Sequence, residues 1–308
     1  MKFEEKYKKI KNFVKKDLNT LEKGIKSLFK NTNPLNKELQ AFLTVSGKRL
    51  RPLLGILFLK NIFNELNQKQ VDVLLAVELI HNATLIHDDV IDKAETRRKH
   101  ETLNIKFDDN LAVIAGDYLL SIAMEKIINI GSTNIIKLFT STLKSTCLGE
   151  INQYFSKFKI TSIEEYIEKS RNKTALLFEI GILSGLLLSE KSTDENLKQI
   201  ASDFSQNFGI AFQIRDDLIN ILNAETISNN DIKAGIYNAP IIFARQENKN
   251  ILQEKNILKA IKNTKGIEKT KDLMDNYFNN SISAIEKLKE TVYKKNITEL
   301  IELLRTSL

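Results

Sequence analysis

The stretch Leu85-Ile86-His87-Asp88-Asp89-Val90-Ile91-Asp92 ends a largely apolar run that begins at Val71. An apolar run of this length predicts a helix that is buried on most sides. Asp88 and Asp92 are four residues apart, so they share one face of that helix. Acidic side chains at the carboxyl end of a helix are locally unfavourable, because the helix macrodipole is negative there. A divalent metal held by the paired carboxylates would offset this cost, and a solvated helix end is the alternative.

The composition favours an all-α fold. The 308 residues include only 11 glycines and 3 prolines, and no proline lies between Pro52 and Pro240. Because helix breakers are so rare, we expect helices throughout. Apolar periodicity predicts them at 2–30, 36–45, 52–65, 69–92, 109–130, 134–158, 163–189, 194–223, 239–246, 254–262, 266–290 and 292–306. No stretch shows convincing β-alternation and no linker divides the chain, so we predict a single domain over 1–308.

The N-terminal segment 1–34 has the pattern of an amphipathic helix. Tyr7, Val14, Leu21 and Leu28 recur at a constant interval, opposite a lysine-rich face. We expect this helix to pack on the body of the protein or on a partner subunit, and a membrane surface is the alternative. The N-terminus lacks the apolar core of a signal peptide, and no apolar run reaches the roughly 18 residues of a membrane span. We therefore expect a cytoplasmic protein with at most peripheral membrane contact.

The net charge of +7 is compatible with nucleic acid, a membrane surface or a polyphosphate ligand. The composition is rich in Lys, Asn and Ile, as an AT-rich genome produces, so the placement of the charges is more informative than their sum. The single Cys147 excludes an intrachain disulfide and suits a reducing compartment. We expect Cys147 to be a small buried hydrophobe, His87 to be structural and His100 to be exposed.

Two further clusters accompany the acidic stretch. Gly47-Lys48-Arg49-Leu50-Arg51-Pro52 gathers cations between a glycine and a proline, a pattern that suits phosphate oxygens. Arg97-Arg98 follows Asp92, and carboxylates followed by arginines suit a metal-bridged polyphosphate. A second largely apolar helix, Phe204 to Leu222, carries Asp216-Asp217 near its end. If the two buried helices meet, their carboxylates would face each other across a cavity.

At these positions the chain resembles the trans-isoprenyl diphosphate synthases, or polyprenyl synthetases. The resemblance runs from about residue 40 to 245 and includes, in the same order, Gly47–Pro52, Asp88–Asp92 with Arg97-Arg98, Ala115-Gly116-Asp117-Tyr118-Leu119-Leu120, Gly149-Glu150-x-x-Gln153, Lys173-Thr174, and Phe212-Gln213 before Asp216-Asp217. It implies an all-α, single-domain bundle of about 10–13 helices around a deep central cavity. It also implies a homodimer, about three Mg²⁺ ions per site, and no nucleic-acid partner.

The resemblance assigns a reaction and a role to each matching position. An allylic diphosphate ionises, the double bond of isopentenyl diphosphate attacks the carbocation, and a proton is lost. The implied metal ligands are Asp88, Asp92 and Asp216. The implied ligands of the allylic diphosphate are Arg97, Lys173 and Gln213, and those of isopentenyl diphosphate are Lys48, Arg51, His81 and Arg98. Thr174 is expected to stabilise the cation. Asp89, about 100° around the helix from Asp88, is expected to support the metal ligands, and His81 has the alternative of a hydrogen-bonded core histidine.

The chain departs from the family in its second acidic motif and in two loops. That motif ends in Asn220 where the family usually has Asp, so a carbonyl acceptor remains but the charge is lost. Lys99-His100-Glu101 replaces the usual Gly, basic residue and Pro. The segment 229–233 lacks the usual Gly-Lys pair, so a phosphate-binding lysine is missing there, and Lys233 is a weak substitute.

Product length is expected to depend on the residues one turn before Asp88. Ala83 and Thr84 are small, whereas short-chain members carry a bulky aromatic residue here that closes the cavity. A long, octaprenyl-like product for a quinone side chain is therefore expected, with Ile80, Val77 or Phe139 among the residues that form the floor. The alternatives are a short-chain (farnesyl or geranylgeranyl) synthase, a cyclising terpene synthase that would not need Gly47–Pro52, and a non-catalytic partner subunit, which would typically lose the acids.

Overall fold

A computed structural model describes residues 3–29, 33–44, 47–98, 100–223 and 230–308. Within these ranges the chain forms sixteen α-helices and one short antiparallel strand pair, so the all-α class is confirmed. The helices are α1 (Phe3–Phe13), α2 (Lys15–Lys26), α3 (Pro34–Thr44), α4 (Leu50–Phe63), α5 (Gln68–Ile91), α6 (Leu103–Lys106), α7 (Asp109–Asn129), α8 (Thr133–Phe155), α9 (Ile163–Ser170), α10 (Leu176–Leu187), α11 (Glu195–Leu222), α12 (Asn230–Lys233), α13 (Ala239–Glu247), α14 (Ile257–Lys262), α15 (Gly266–Glu286) and α16 (Val292–Arg305).

The helices form two compact units. The α5 unit comprises Lys8–Leu138 and Ile180–Thr193, and the α11 unit comprises Met1–Tyr7, Phe139–Glu179 and Asp194–Leu308. Each unit is built around one long helix that ends in an acidic motif. The single domain predicted over 1–308 stays a prediction.

In the α5 unit, α5 is the central helix. Asn67 starts it with a capping box, in which its side chain accepts from the Gln70 amide and the Gln70 side chain accepts from the Asn67 amide. Helix α5 packs closely on α7, because Gly116 of α7 has no side chain and leaves room for the imidazole of His87 on α5. A Cβ at Gly116 would lie 2.2 Å from Nε2 of His87. His87 also lies 3.2 Å from the carbonyl of Val113, which agrees with its predicted structural role.

In the α11 unit, Asp194 starts α11 by accepting a hydrogen bond from the Leu197 amide at 2.9 Å. The buried face of α11 carries Phe204 and Phe208, and Phe208 contacts Phe178 with ring centroids 5.0 Å apart. A Cβ at Gly209 would lie 2.4 Å from Cα of Ala175. This glycine therefore lets the backbone around Ala175 approach α11 closely.

Two predicted helices are interrupted. The helix predicted at 2–30 is divided at Val14, whose backbone lies at φ −120° and ψ 23°; residues 2 and 30 lie outside the described ranges. The helix predicted at 163–189 contains a π-helical turn at Arg171–Ala175 between α9 and α10. A π-turn inserts one residue and so rotates the following helix by about 100° relative to the preceding one. Helix α10 is apolar on nearly all sides, so this rotation leaves no visible break in the apolar pattern.

The strand pair was missed because it is too short to show alternation. Thr96 pairs with Glu101 and Arg97 with His100, and Arg98 sits at the tip with φ 51°. His100 is exposed, as predicted. In the described part of the chain, no helix combines the length and the apolar character that crossing a membrane requires.

Candidate active site

The end of α5 presents two carboxylates on one face. The amide of Asp92 donates to the carbonyl of Asp88 at 2.8 Å, which continues the helical turn to the cap. Asp88 is half-buried and Asp92 is exposed. Two carboxylates one turn apart, at a helix end that is open to solvent, form an all-oxygen donor pair of the kind that Mg²⁺ prefers.

Asp89 points into the α5 unit and binds an arginine. Its carboxylate accepts two hydrogen bonds from Nε of Arg97, at 2.8 and 2.9 Å, and Nη2 of Arg97 lies 2.7 Å from Oδ1. The Asp89 side chain is 3% exposed and the Arg97 side chain is 29% exposed. Arg97 therefore offsets part of the negative charge at this helix end, and its position is fixed by Asp89.

Three of the four predicted ligands of isopentenyl diphosphate, His81, Arg51 and Arg98, gather in one basic cluster of the α5 unit. Burial, followed by the positive charges of Arg51, Arg98, Arg97 and Arg49, holds the pKa of His81 well below its ordinary value. His81 is therefore neutral at pH 7, and its ring acts by hydrogen bonding. A Cβ at Gly47 would lie 2.9 Å from Nη1 of Arg98, so the absence of a side chain there admits the guanidinium. Lys48, next to Gly47, is exposed.

Arg49 anchors this basic segment, a role that the sequence did not reveal. Its backbone is left-handed, with φ 54°, and its side chain is buried. Nε lies 2.7 Å from Glu22, Nη1 lies 2.8 Å from Glu78, and Nη2 donates to the carbonyl of Leu43. Because Arg49 points inward, its neighbours on the segment are left to face a ligand. The sequence feature that could have indicated this role is Glu78, because an acid within the apolar part of α5 needs a cationic partner.

A chain of hydrogen bonds fixes the second acidic motif in the α11 unit. The Thr174 hydroxyl donates to Oε1 of Gln213 at 2.6 Å, and Nε2 of Gln213 donates to Oδ1 of Asp217 at 3.1 Å. The Tyr166 hydroxyl donates to Oδ2 of Asp217 at 2.6 Å. Burial and the charge of Asp217 raise the pKa of Tyr166 well above its ordinary value, so this phenol stays a donor. Sequence reasoning missed Tyr166.

Asp216, unlike its neighbour Asp217, is half-buried. Nη1 of Arg215 lies 3.0 Å from its Oδ1. Arg215 is itself held by the carbonyl of Leu304, to which its Nε donates at 2.7 Å, and by the hydroxyl of Ser307. The carboxyl end of α16 thus fixes the arginine that orients the predicted metal ligand.

Lys173 and Thr174 lie in the π-helical turn. Nζ of Lys173 lies 2.7 Å from Oε1 of Glu150 on α8. A Cβ at Gly149 would lie 3.3 Å from Cβ of Asn172, so the Gly149-Glu150 pair both admits this turn and holds its lysine. π-Turns recur at functional sites, because they turn side chains away from the regular helical rows.

Several predicted residues have environments that bear on their roles. Ala83 and Ile80 are fully buried in the α5 unit, whereas Thr84 is half-buried and donates its hydroxyl to the carbonyl of His81 at 2.8 Å. Of the predicted chain-length residues Ala83, Thr84 and Ile80, Thr84 is therefore the one whose side chain is partly accessible.

The predicted burial of Cys147 is wrong, because its side chain is exposed. Helix α8 turns Thr146 and Gly149 inward, and Cys147 lies about 100° from Thr146 around the helix. Asn220 and Lys233 are also exposed. Lys99 and Asn229 lie outside the described residues.

The metal ligands predicted from the sequence do not by themselves form a complete metal-coordination site. Within the described ranges, no three Asp, Glu, His or Cys side chains converge closely enough to hold a metal ion. The donor set still fits Mg²⁺, which commonly takes one or two protein carboxylates and completes its shell with water and substrate phosphate oxygens.

Known proteins resemble the chain along most of its length. Residues 32–277 match the polyprenyl synthetase family. A prenyl transferase from Cyanidium caldarium is 32% identical over 306 residues, covering 93% of this chain and 94% of that protein. Heptaprenyl diphosphate synthase component 2 from Bacillus subtilis (strain 168) is 27% identical, covering 92% of this chain and 86% of that protein.

The fold is likewise shared with a solved structure. The crystal structure of heptaprenyl diphosphate synthase from Staphylococcus aureus superposes with a TM-score of 0.88 at 24% identity, covering 95% of this chain and 98% of that chain. The fold, the order of the motifs and the extent of the family match all indicate the same family. The chain therefore belongs to the polyprenyl synthetase family of prenyltransferases.

Proposed function

We propose that this protein is a Mg²⁺-dependent synthase that condenses isopentenyl diphosphate with an allylic diphosphate to give a long trans-polyprenyl diphosphate. The observation that carries the proposal is that Arg97, which binds Asp89 beside the carboxylate of Asp88, also belongs to the group of arginines around His81 in the α5 unit. An acidic pair beside several arginines suits a diphosphate bound partly through metal and partly through guanidinium groups.

Asp88 and Asp92 would hold two of the metal ions and Asp216 a third, and these ions would supply charge neutralisation for the departing diphosphate. The chain's own contribution begins with orientation. Asp217, held by Tyr166 and Gln213, fixes the backbone that carries Asp216. Because these hydrogen bonds hold the motif in position, Asp216 would need little rearrangement to bind a metal ion.

The reaction needs no protein nucleophile. The C–O bond of the allylic diphosphate breaks, and diphosphate leaves with the electron pair. The double bond of isopentenyl diphosphate then forms a C–C bond to the allylic carbocation, and a proton is lost to a base. Lys173 would bind the leaving diphosphate, and the Thr174 hydroxyl oxygen would stabilise the cation. Arg51, Arg98 and neutral His81 would hold the diphosphate of isopentenyl diphosphate.

A long product is supported by the small side chains at Ala83 and Thr84. The relative from Bacillus subtilis is named a heptaprenyl diphosphate synthase component, which is also a long-chain activity. That name further supports a second candidate, in which this chain acts as one subunit of a heteromeric synthase.

A homodimer is the assembly that we propose. Its support is the apolar surface of α7, where Ile114 is 58% exposed and Val113 and Tyr118 are each more than a third exposed. Apolar side chains grouped on one exposed helix are typical of a surface that another subunit covers.

The function is tested by transfer of label from isopentenyl diphosphate into an apolar product, with Mg²⁺ and farnesyl diphosphate present. The wild-type chain is expected to incorporate label, and chelation by EDTA is expected to abolish incorporation. Asp88→Ala is expected to lose about a hundredfold or more of the rate, whereas Asp109→Ala, an exposed acid at the start of α7, retains it. Full activity in Asp88→Ala would overturn the proposed metal site.

A further inference from the structure

Helix α2 is joined to the basic segment 47–52 by an ion pair. Nε of Arg49 lies 2.7 Å from Oε1 of Glu22 on α2, and Nη2 lies 3.4 Å from Oε2. The Arg49 side chain is 4% exposed and the Glu22 side chain is 34% exposed. A guanidinium that meets both oxygens of a carboxylate is fixed in orientation as well as paired in charge. An acid from the N-terminal part of the chain therefore orients the anchor of the basic segment.

Arg49 needs to be held, because its backbone is strained. Its φ of 54° lies in the left-handed region, where Cβ of an L-residue comes too close to the following carbonyl oxygen. On the other side of the guanidinium, Nη1 lies 2.8 Å from Oε1 of Glu78, whose side chain is 6% exposed, and Nη2 donates to the carbonyl of Leu43. Partners from α2, α3 and α5 thus converge on one side chain. Loss of the partner from α2 would leave this strained residue with fewer restraints.

Arg49 also lies among the groups proposed to bind isopentenyl diphosphate. Burial, followed by the charges of several arginines that include Arg49, lowers the pKa of His81. Burial also lowers the pKa of Arg98, and the negative charge of Glu78 opposes that effect. Glu78 therefore acts electrostatically on both Arg49 and Arg98. Arg51, another proposed ligand, is two residues from Arg49 in the chain, so a shift of the backbone at Arg49 would move it.

We propose that Glu22 is a positioning residue for the isopentenyl diphosphate site and that it acts through Arg49. This inference rests on the proposed function, because the ligand is one of the two substrates of that reaction. Glu22 is itself an acid that a diphosphate would repel, so its contribution is to hold Arg49 and not to contact the substrate. Helix α2 thereby takes part in substrate binding, whereas its apolar periodicity predicts only a packing role.

A second ion pair joins α2 to α4 and provides a matched control. Nζ of Lys60 lies 3.0 Å from Oδ2 of Asp17, and the two side chains are 12% and 11% exposed. Lys60 is in the last turn of α4, about 15 Å along the helix from Leu50. Asp17→Ala therefore removes an acid of α2 that pairs with α4 far from the basic segment. It is expected to lower the thermal midpoint and to leave the KM of each substrate unchanged.

Glu22→Ala is expected to raise the KM for isopentenyl diphosphate about tenfold, because the residues that bind its diphosphate are no longer held in position. The kcat and the KM for farnesyl diphosphate should each change less than about twofold. Glu22→Gln, which keeps an acceptor for Nε of Arg49, should give an intermediate KM for isopentenyl diphosphate. An equal rise of this KM in Asp17→Ala and Glu22→Ala would show a general effect of α2 on the fold and would overturn the inference.

Calorimetry with isopentenyl diphosphate reports on the same site without turnover. It is done without Mg²⁺, because the proposed ligands of this substrate are all side chains. Weaker binding by Glu22→Ala than by wild type and Asp17→Ala supports the inference even if condensation is absent from the wild type. Unchanged affinity and an unchanged KM in folded Glu22→Ala would overturn the inference and leave the proposed function intact. No binding of isopentenyl diphosphate by the wild type would overturn both.

Discussion

Arg97 binds both carboxylate oxygens of Asp89, with Nε at 2.8 and 2.9 Å from them. The two aspartates at the end of α5 therefore have different tasks, although they are adjacent in sequence. Asp89 is turned inward to hold the arginine of the following strand, while Asp88 shares the open face with Asp92. Arg97 was predicted to hold the allylic diphosphate, and any such contact would be made by a guanidinium that Asp89 has already oriented.

Asp89→Asn is expected to lower the free energy of unfolding by about 2 kcal/mol, because the arginine loses a charged partner in a largely buried position. The prenyl-transfer rate should fall less than in Asp88→Ala. Urea unfolding measures the first quantity, with Asp109→Asn as an exposed control. Equal and complete loss of activity in Asp88→Ala and Asp89→Asn, both folded, would contradict the division of tasks.

Tyr166→Phe is expected to raise the Mg²⁺ concentration needed for half-maximal activity and to lower stability by about 1–2 kcal/mol. The reason is that Oδ2 of buried Asp217 loses its hydroxyl donor. A Mg²⁺ titration of the initial rate measures the effect, with Tyr237→Phe as the control. An unchanged titration midpoint would show that the hydroxyl does not position the acidic motif.

His81 should make stability depend on pH. Its pKa is well below the ordinary value of about 6.5 in the folded protein, so below that pH the unfolded chain binds a proton that the folded chain rejects. Its contribution is fully present above about pH 6.5 and is lost progressively as the pH falls toward the folded-state pKa. Wild type should therefore lose more stability than His81→Gln between pH 7.5 and 5.5, while exposed His100→Gln behaves as wild type. Parallel losses in wild type and His81→Gln would exclude this contribution.

Gly209→Ala is expected to destabilise the protein by about 1–3 kcal/mol, because the new methyl group meets the backbone of the π-helical turn. The activity should fall further than stability alone explains, since that turn carries Lys173 and Thr174. Thermal unfolding and initial rates measure the two effects. Lys198→Ala, at the start of α11, is the control, and wild-type activity in Gly209→Ala would contradict the role of this close approach.

Thr84→Phe is expected to shorten the polyprenyl product, because an aromatic side chain at this half-buried position would block the space below Asp88. Ala83→Phe should shorten it too, but with a lower thermal midpoint, since Ala83 is fully buried. Chromatography of the dephosphorylated products measures chain length. Products of unchanged length from both variants would disprove the chain-length assignment.

Much of the fold follows from local patterns in the sequence. The rare breakers and the apolar periodicity depend only on neighbouring residues, and they predicted the long helices but not the one-turn helices α6 and α12. The π-helical turn could not be predicted, because α10, which follows it, is apolar on nearly all sides and hides the phase shift that one inserted residue produces.

The candidate site residues were proposed from motifs in the sequence, but the contacts that hold these residues were not predicted. Tyr166 and Asp217 are 51 residues apart, and Arg49 is 29 residues from Glu78. No spacing rule connects such pairs, because they meet only through tertiary packing. For the same reason, the acids could be proposed from the sequence, whereas the residues that contact and orient them could be identified only from the structure.

The most direct measurement is the size of the product made by the purified chain alone from farnesyl diphosphate, labelled isopentenyl diphosphate and Mg²⁺. We predict a label that is extractable into butanol and that migrates, after dephosphorylation, with polyprenols longer than geranylgeraniol. Products no longer than geranylgeraniol would contradict the long-chain assignment. No product from a folded chain that acquires activity only when a second subunit is added would contradict the central claim that this chain is itself the synthase.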